Sequence, residues 1–462
     1  MKKIFFLLAF LGSFSLFAQS KLDTLAYEKF QNERFSKISF DAIAQDIDGT
    51  SVSTSLSTEE KIQALSTVWY EAKFNFANFD LIPNVQWDSL YKAYLPKVIA
   101  TEHIMETYDV LMQFNQHLRD GHTRILPPMH YFKKQKLNHL PIHFKQIDGK
   151  AVVYQIKSNN PIYKDIQKGM ILEKIDGISV QDYIRKNISP TLNFSTVQDS
   201  IGRIYHYELL LGAENTEVTL DFKTAKEKDL QVSFTRSPFD WNIKTPVSFQ
   251  VLPGNIGHLT IDSFNDEQTF TEFKKHFSEI LKTNALIIDI RHNGGGNGHW
   301  GHEIIGYLTK EPFYPSISVM NTYHPVERAW GGNGIQSKTI SYDWKPYHTE
   351  TYTKPVVLLI SELTYSAAED FTSAFKVAKR GVLIGSTTGG STGQPLGYSL
   401  PGGGIGFVCS KRDAMYDGTE FVGVGIKPDV EVKPTIKALQ KGKDEVLEAA
   451  VKFLKQKESK SL

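Results

Sequence analysis

Two short runs most constrain what this chain can build. Ala285-Leu286-Ile287-Ile288-Asp289-Ile290-Arg291 and Pro355-Val356-Val357-Leu358-Leu359-Ile360-Ser361 are continuously apolar at their centres rather than alternating. Such runs belong to strands buried on both faces, which a parallel sheet covered by helices provides. Helix-period segments lie beside them: EQTFTEFKKHFSEIL (267–281) precedes the first, and YSAAEDFTSAFKVAK (365–379) follows the second. GHLTIDSF (257–264) and GVLIGS (381–386) supply further strands. The alternation predicts an α/β layered core from about residue 247 onward.

Upstream the pattern changes twice. TEEKIQALSTVWYEAKFNFANF (58–79), WDSLYKAYLPKVIA (87–100) and EHIMETYDVLMQFNQHL (102–118) have apolar residues at helical spacing, and Ser57 or Thr58 can cap the first. The aromatic residues Trp69, Tyr70, Phe74, Phe76 and Phe79 read as core. A loop, RDGHTRILPP (119–128), closes this part. LPIHFKQI, KAVVYQI, MILEKI, TEVTLDF and DLQVSFTR then read as short strands between turns, with Asp176-Gly177 a tight-turn signal.

Residues 1–20 place Lys2 and Lys3 before an apolar run from Ile4 to Phe17, with the small Ala18 ahead of Gln19. That is the layout of a secretory signal peptide cut after Ala18. The run is short against the roughly 20 residues of a membrane span, and no later run is long enough. The expectation is an exported mature chain, periplasmic or secreted, with no stable span after cleavage. The expected division is a signal peptide at 1–18, a helical domain at 19–135, a β-rich domain at 136–238 and an α/β domain at 239–462.

Composition removes several function classes. Loss of Lys2 and Lys3 takes the formal charge from +1 to −1, so no basic excess points to nucleic acid. Cys409 is the only cysteine, which excludes an intrachain disulfide and any cysteine-rich zinc site. Its apolar surroundings, GIGFVCS, suit a buried thiol rather than a nucleophile.

Familiar motifs appear only in part. Gly389-Gly390-Ser391-Thr392-Gly393 fits G-x-S-x-G, but glycines and Pro395 follow instead of a helix, and no histidine lies beyond His348. The loop from Gly385 to Ser391 lacks the lysine of a phosphate loop, and His302-Glu303-Ile304-Ile305-Gly306 lacks the second histidine of H-E-x-x-H. Two strand–turn–helix junctions remain. In Asp289-Ile290-Arg291-His292-Asn293-Gly294-Gly295-Gly296, three glycines leave backbone N–H groups free to converge on one point, although such a run also serves as a plain connection. In Thr364-Tyr365-Ser366-Ala367-Ala368, the serine is either a helix cap or a hydroxyl facing a cleft.

Four blocks in order, DIRHNGGGNG, LISELTYSAAEDF, GSTTGGSTGQ and GTEFVGVGIKPDVEV, resemble peptidase family S41, the tail-specific or C-terminal-processing proteases. The helical N-terminal part and the DGHT loop are similar to the tricorn-like branch. Lys168 to Gly177 (KGMILEKIDG) resembles part of a PDZ domain, a module that adds a peptide strand to a sheet edge and grips its C-terminus. The resemblance implies a ClpP/crotonase-like α/β catalytic core with an N-terminal helical domain and a PDZ-like β-rich domain.

It also implies chemistry. Ser366 matches the nucleophile, and Gly295 and Ala367 match the oxyanion donors. One branch of the family places a lysine base where this chain has Ser391; Lys376 and Lys379 read as solvated helix residues. The tricorn-like branch uses a histidine, and His122 in Asp120-Gly121-His122-Thr123 matches it. Glu420 lies near that branch's catalytic glutamate, with Asp417 and Asp429 as competitors. The expected activity is an exported serine endopeptidase with a Ser-His-Glu-like site acting on peptides or proteins, needing neither metal nor organic cofactor. A family member that only carries ligands keeps a second reading open, a non-catalytic binder of peptides or hydrophobic ligands. A third is an esterase using the same residues.

Overall fold

The computed structural model describes residues 24–34, 54–128, 137–237, 245–346 and 348–458. The chain divides into two compact units, residues 1–45 and 46–462. In the first, the described part is one helix, Thr24–Arg34; the leader expected at 1–18 lies outside the described residues. The second unit holds everything that bears on function.

Its centre is a six-stranded sheet: β1 (Val247–Leu252), β2 (Ile256–Ile261), β3 (Ala285–Asp289), β4 (Val356–Ile360), β5 (Gly381–Gly385) and β6 (Val430–Glu431). The spatial order is the chain order, with β1 antiparallel to β2 and all later neighbours parallel. Each parallel step needs a crossover; the first three are supplied by α1 (Glu267–Ile280), α2 (Gly298–Gly306) and α3 (Ala367–Val377), and the last, from β5 to β6, by the segment that holds the strands Pro395–Leu400, Gly404–Cys409 and Lys411–Ala414. Crossovers of one hand along a sheet wound in one direction put their helices on one face. Side-chain alternation agrees: Leu286, Ile288, Leu358 and Ile360 pack with Phe273, Phe277, Ile304, Phe371 and Phe375 from those helices. Ala285, Ile287, Val357 and Leu359 point the other way, onto Val446, Ala450 and Leu454 of the helix Glu445–Glu458. Burial on both faces is why β3 and β4 read as unbroken apolar runs.

The helices Thr58–Asn75, Trp87–Ile99 and Ile104–Asn115 pack around Trp87, Tyr108 and Phe114. Ser57 caps the first through a capping box with Glu60, at 3.2 and 2.8 Å. The same cluster contains Tyr398, Leu400, Val408 and Cys409. These come from a three-stranded sheet in which Arg124–Leu126 pairs antiparallel with Gly404–Cys409, and that strand with Pro395–Leu400. The helical segment therefore shares its core with chain almost 300 residues away. Cys409 is free and fully buried, and burial raises its thiol well above the ordinary range.

Residues 137–237 form a second sheet in the order Ile142–Ile147, Lys150–Ile156, Ile171–Ile175, Glu217–Lys223 and Asp229–Thr235. Asp176 and Gly177 both have positive φ, 51° and 76°, in the tight turn the sequence signals. The helical turns at Val180–Ile188 and Val197–Glu208, which the strand pattern does not announce, cover this sheet with Ile184, Ile188, Tyr205 and Leu209. Between α2 and β4 the chain leaves the core as a hairpin, Ile317–Tyr323 with Ile335–Ser341, and the first strand also pairs with Lys411–Ala414. Among the described residues, no helix is long and apolar enough to cross a membrane.

Candidate active site

The carboxyl ends of β3 and β4 are adjacent, and open α/β sheets present their binding groups there. After β3, Asp289 and Arg291 make a two-point ion pair at 2.9 and 2.6 Å, and Arg291 also reaches Asp444 at 2.9 and 2.8 Å. Although burial opposes ionisation, the Arg291 guanidinium holds the Asp289 carboxyl far below its usual range. This brace fixes the start of the glycine turn. Ser361 Oγ donates to Arg291 O at 2.5 Å, Thr364 Oγ1 to Ile290 O at 3.0 Å, and Tyr365 N to Asn293 O at 3.1 Å. The turn after β4 is thus bonded to the turn after β3.

Ser366 stands at the cap of α3 with φ 55° and ψ −126°. Positive φ in a residue with a Cβ is strained and persists only where its surroundings impose it. Here the Ser366 N–H donates to Ser391 O at 3.0 Å, and Ser366 O accepts from Glu369 N at 2.7 Å. The resulting bend sits between a strand and a helix, as does the nucleophile turn of α/β hydrolases, although the G-x-S-x-G pattern lies elsewhere.

His122 arrives from the loop before Arg124–Leu126. Its backbone N–H donates to Asp120 Oδ1 at 2.9 Å, and the same oxygen accepts from Thr123 N and Thr123 Oγ1 at 2.8 and 2.9 Å. Thr123 Oγ1 in turn accepts from Cys409 N at 2.9 Å. The ring stacks on Tyr365, centroids 5.0 Å apart. Its Nε2 lies 3.0 Å from Ser366 Oγ, and its Nδ1 lies 2.8 Å from Ser391 Oγ. Burial, and then the charges of Arg203, Arg124 and Lys411, push the imidazole down to about 3. A neutral ring with its Nδ1 proton on Ser391 leaves Nε2 free to accept from Ser366.

The carboxylate behind this arrangement is Glu369, one turn into α3. It accepts from Ser391 N at 2.8 Å, Gly390 N at 2.8 Å and Thr388 Oγ1 at 2.5 Å, and burial pushes it up to about 8. Glu369 is not among the residues the sequence reading expects for the site; its only sequence signal is a carboxylate three positions after Ser366. Glu420, expected near the histidine, is not brought there. It lies in an exposed turn, bridges to Ala414 and faces Arg412 at 3.4 Å. Asp429 accepts from Leu383 N at 2.9 Å, a structural contact on the core sheet. Lys376 faces Asp429 at 3.7 Å, away from Ser366.

The glycine turn contacts Ser366 as its motif suggests, with one difference. The Gly295 N–H donates to Asn293 Oδ1 at 2.9 Å, and Gly295 O accepts from Phe264 N at 2.9 Å, so both polar groups of Gly295 are engaged. Gly296 is the residue that lines the open cavity with Ser366 and Ala367. The Ala367 N–H, at the first position of α3, has no acceptor among the described residues. A Cβ on Gly295 would come 2.7 Å from Ser366 Cβ at φ 103°. Gly295→Ala is therefore expected to cost about 2–4 kcal/mol from strain and overlap together, read as a lowered midpoint in urea unfolding.

Residues 255–432, which carry the glycine turn, Ser366, Glu369 and Ser391 but not His122, match the model of peptidase family S41. Over that stretch the chain is similar to peptidase family S41. The chain is 24% identical over 366 residues to the chloroplastic C-terminal processing peptidase of Tetradesmus obliquus, covering 76% of this chain and 73% of that protein. It is 26% identical over 269 residues to the carboxy-terminal processing protease CtpA of Bacillus subtilis, covering 58% of this chain and 52% of that one. Over 405 residues it is 24% identical to a tricorn protease homolog of Streptomyces coelicolor, of which it spans 30%. Among solved structures, mature CPAF superposes with a TM-score of 0.66 over 87% of this chain and 97% of that one at 16% identity. The photosystem II D1 C-terminal processing protease gives 0.50 over 84% and 98% at 21%. At such identities the likeness is one of fold.

Proposed function

We propose that this S41-like chain is an exported serine endopeptidase in which Ser366 attacks a peptide carbonyl and His122 takes its proton. The contact of 3.0 Å between His122 Nε2 and Ser366 Oγ carries the reading, because the two residues are 244 positions apart and meet nowhere else. A serine hydroxyl needs a base at hydrogen-bond distance to act as a nucleophile. As the C–O bond forms, the carbonyl oxygen becomes an oxyanion beside the Ala367 N–H and the glycine turn at Gly296. The amine leaves with the proton that His122 received, and water then cleaves the acyl-serine with His122 again as base.

In this reading Ser391 replaces the carboxylate that usually orients the histidine. It stands where part of the family has a lysine, and its hydroxyl oxygen can accept a hydrogen bond from Nδ1–H while its backbone holds both Ser366 and Glu369. Ser391→Ala is expected to lower kcat by roughly 10–10²-fold with KM little changed, since a neutral hydroxyl contributes less than the carboxylate of a standard triad. Steady-state kinetics on one peptide decides it; an unchanged kcat removes Ser391 from the mechanism.

The six-stranded sheet within residues 137–237, with Ile142–Ile147 and Asp229–Thr235 at the ends of its main path, is proposed as the PDZ-like module that receives a substrate C-terminus. Export rests on the pattern of residues 1–20 and is tested by sequencing the N-terminus of the mature protein. The catalytic reading is tested with a fluorophosphonate probe. Labelling of wild type that is lost in Ser366→Ala supports it. Labelling that persists in Ser366→Ala, or a folded wild type that takes no label, overturns it.

A further inference from the structure

Beside Ser366 lies a cavity of about 520 Å³, reached past Gly296 and Ala367. It adjoins the point where a carbonyl would be attacked, so the residue flanking the scissile bond projects its side chain here. Three kinds of group form its wall. Asp370 projects from α3 one turn after Ser366; Trp344 and Tyr342 come from the segment after the hairpin; His302 comes from α2.

The charges do not cancel. Lys411 reaches Asp413 Oδ2 at 2.8 Å, and Asp413 Oδ1 accepts from Ser318 Oγ. That cation is committed to a fully buried carboxylate. Asp370 is left over. Its Oδ1 accepts from Thr392 Oγ1 at 2.9 Å, and its Oδ2 faces the cavity near Gly298 with no hydrogen-bond partner among the described residues. Burial, then repulsion from Asp413, pushes Asp370 up to about 7 against the pull of Lys411, which pairs with Asp413 and makes no ion pair with Asp370 among the described residues, so an incoming cation would find a carboxylate to pair with.

His302 is the independent sign of a missing ligand. It is 4% exposed, lines the cavity, and neither ring nitrogen has a partner. Buried polar atoms are seldom left so. Burial pushes the ring down to about 3, so it is neutral and offers a lone pair. Trp344 lies 5.4 Å from it and Tyr342 6.3 Å, ring to ring. Aromatic faces, a neutral imidazole acceptor and one unpaired carboxylate together match a donor-rich cation. An acidic side chain would meet Asp370, and an aliphatic one would leave Asp370 and His302 unpaired.

We infer that this cavity selects a lysine or arginine beside the scissile bond, an inference that rests on the serine-peptidase reading above. The test uses the full mature chain and peptides that differ only at the flanking residue, Arg, Lys, Leu or Glu. The expected kcat/KM for Arg and Lys exceeds that for Leu by about tenfold or more, and that for Glu by a wider margin. Asp370→Asn is expected to shrink the Arg-to-Leu ratio about tenfold, and Trp344→Leu, on the half-buried wall, to shrink it in the same direction. Equal loss on all peptides, or a wild type that favours Leu or Glu, overturns the inference. Fluorophosphonate labelling runs alongside. Labelled enzyme without basic preference sinks only this specificity, whereas unlabelled and inactive wild type sinks the catalytic reading beneath it.

Discussion

Ser366→Ala is expected to cut peptide turnover by roughly 10⁴–10⁶-fold while leaving the fold intact. The loss follows from the hydroxyl being the atom His122 Nε2 addresses at 3.0 Å. The fold survives because the Ser366 side chain makes no cap hydrogen bond to its own helix; the backbone bonds to Ser391 and Glu369 do the holding. A companion variant separates strain from chemistry. At φ 55° and ψ −126° any Cβ is unfavourable, so Ser366→Gly relieves about 1–3 kcal/mol. It should be as inactive as the alanine variant and unfold at higher urea. A glycine variant less stable than wild type would mean that the bend is not strained.

His122→Ala is expected to cost about as much as Ser366→Ala, and the double variant no more than either, because residues that act as one unit do not add. Its pH signature is distinctive. The imidazole must be neutral to receive a proton, and burial with Arg203, Arg124 and Lys411 holds it down to about 3. The acid limb of kcat/KM therefore falls well below the value of about 6.5 for an ordinary histidine. Stability follows the same sign. A group whose folded value is depressed contributes stability that is present above about pH 6.5 and lost as pH falls toward 3. His143, His292 and His302 are also depressed by burial, to about 3, 4 and 3, and add to the trend. Turnover and fold should fail together in acid. An acid limb near pH 6.5 in folded protein would show a histidine more exposed than this one.

Legibility in the sequence followed the range of the forces involved. The β3 and β4 runs, the Asp176-Gly177 turn and the Ser57 cap are local matters of period, φ and a three-residue hydrogen bond, and they stand where the pattern places them. The helical turns at 180–188 and 197–208 interrupt a β-rich segment and are too short for a clear period. The partners of His122 are harder still. Ser391 faces its Nδ1 only because the Gly389–Gly390 turn is pinned to Glu369, a tertiary fact with no periodic trace. Glu420 stands in the sequence near the position of the tricorn-like branch's glutamate, yet a loop residue's place in the sequence does not fix where its side chain goes, and here it faces Arg412. The Gly295 N–H is taken by Asn293 while Gly296 opens on the cavity, a difference of one peptide that the glycine run alone does not show.

The pairing of Arg124–Leu126 with Gly404–Cys409 has a consequence for time as well as geometry. The strand that follows His122 finds its neighbour only once residues 405–407 are available, and Ser391 is made even later than Ser366. Closing a loop of that length is slow, and folding proceeds from the N-terminus as the chain is made. While the ribosome is still at work, the base and the nucleophile belong to pieces that have not yet met. A half-made copy of this chain is thus harmless to its neighbours, and its competence to cut switches on late, as one of the last events of its own maturation.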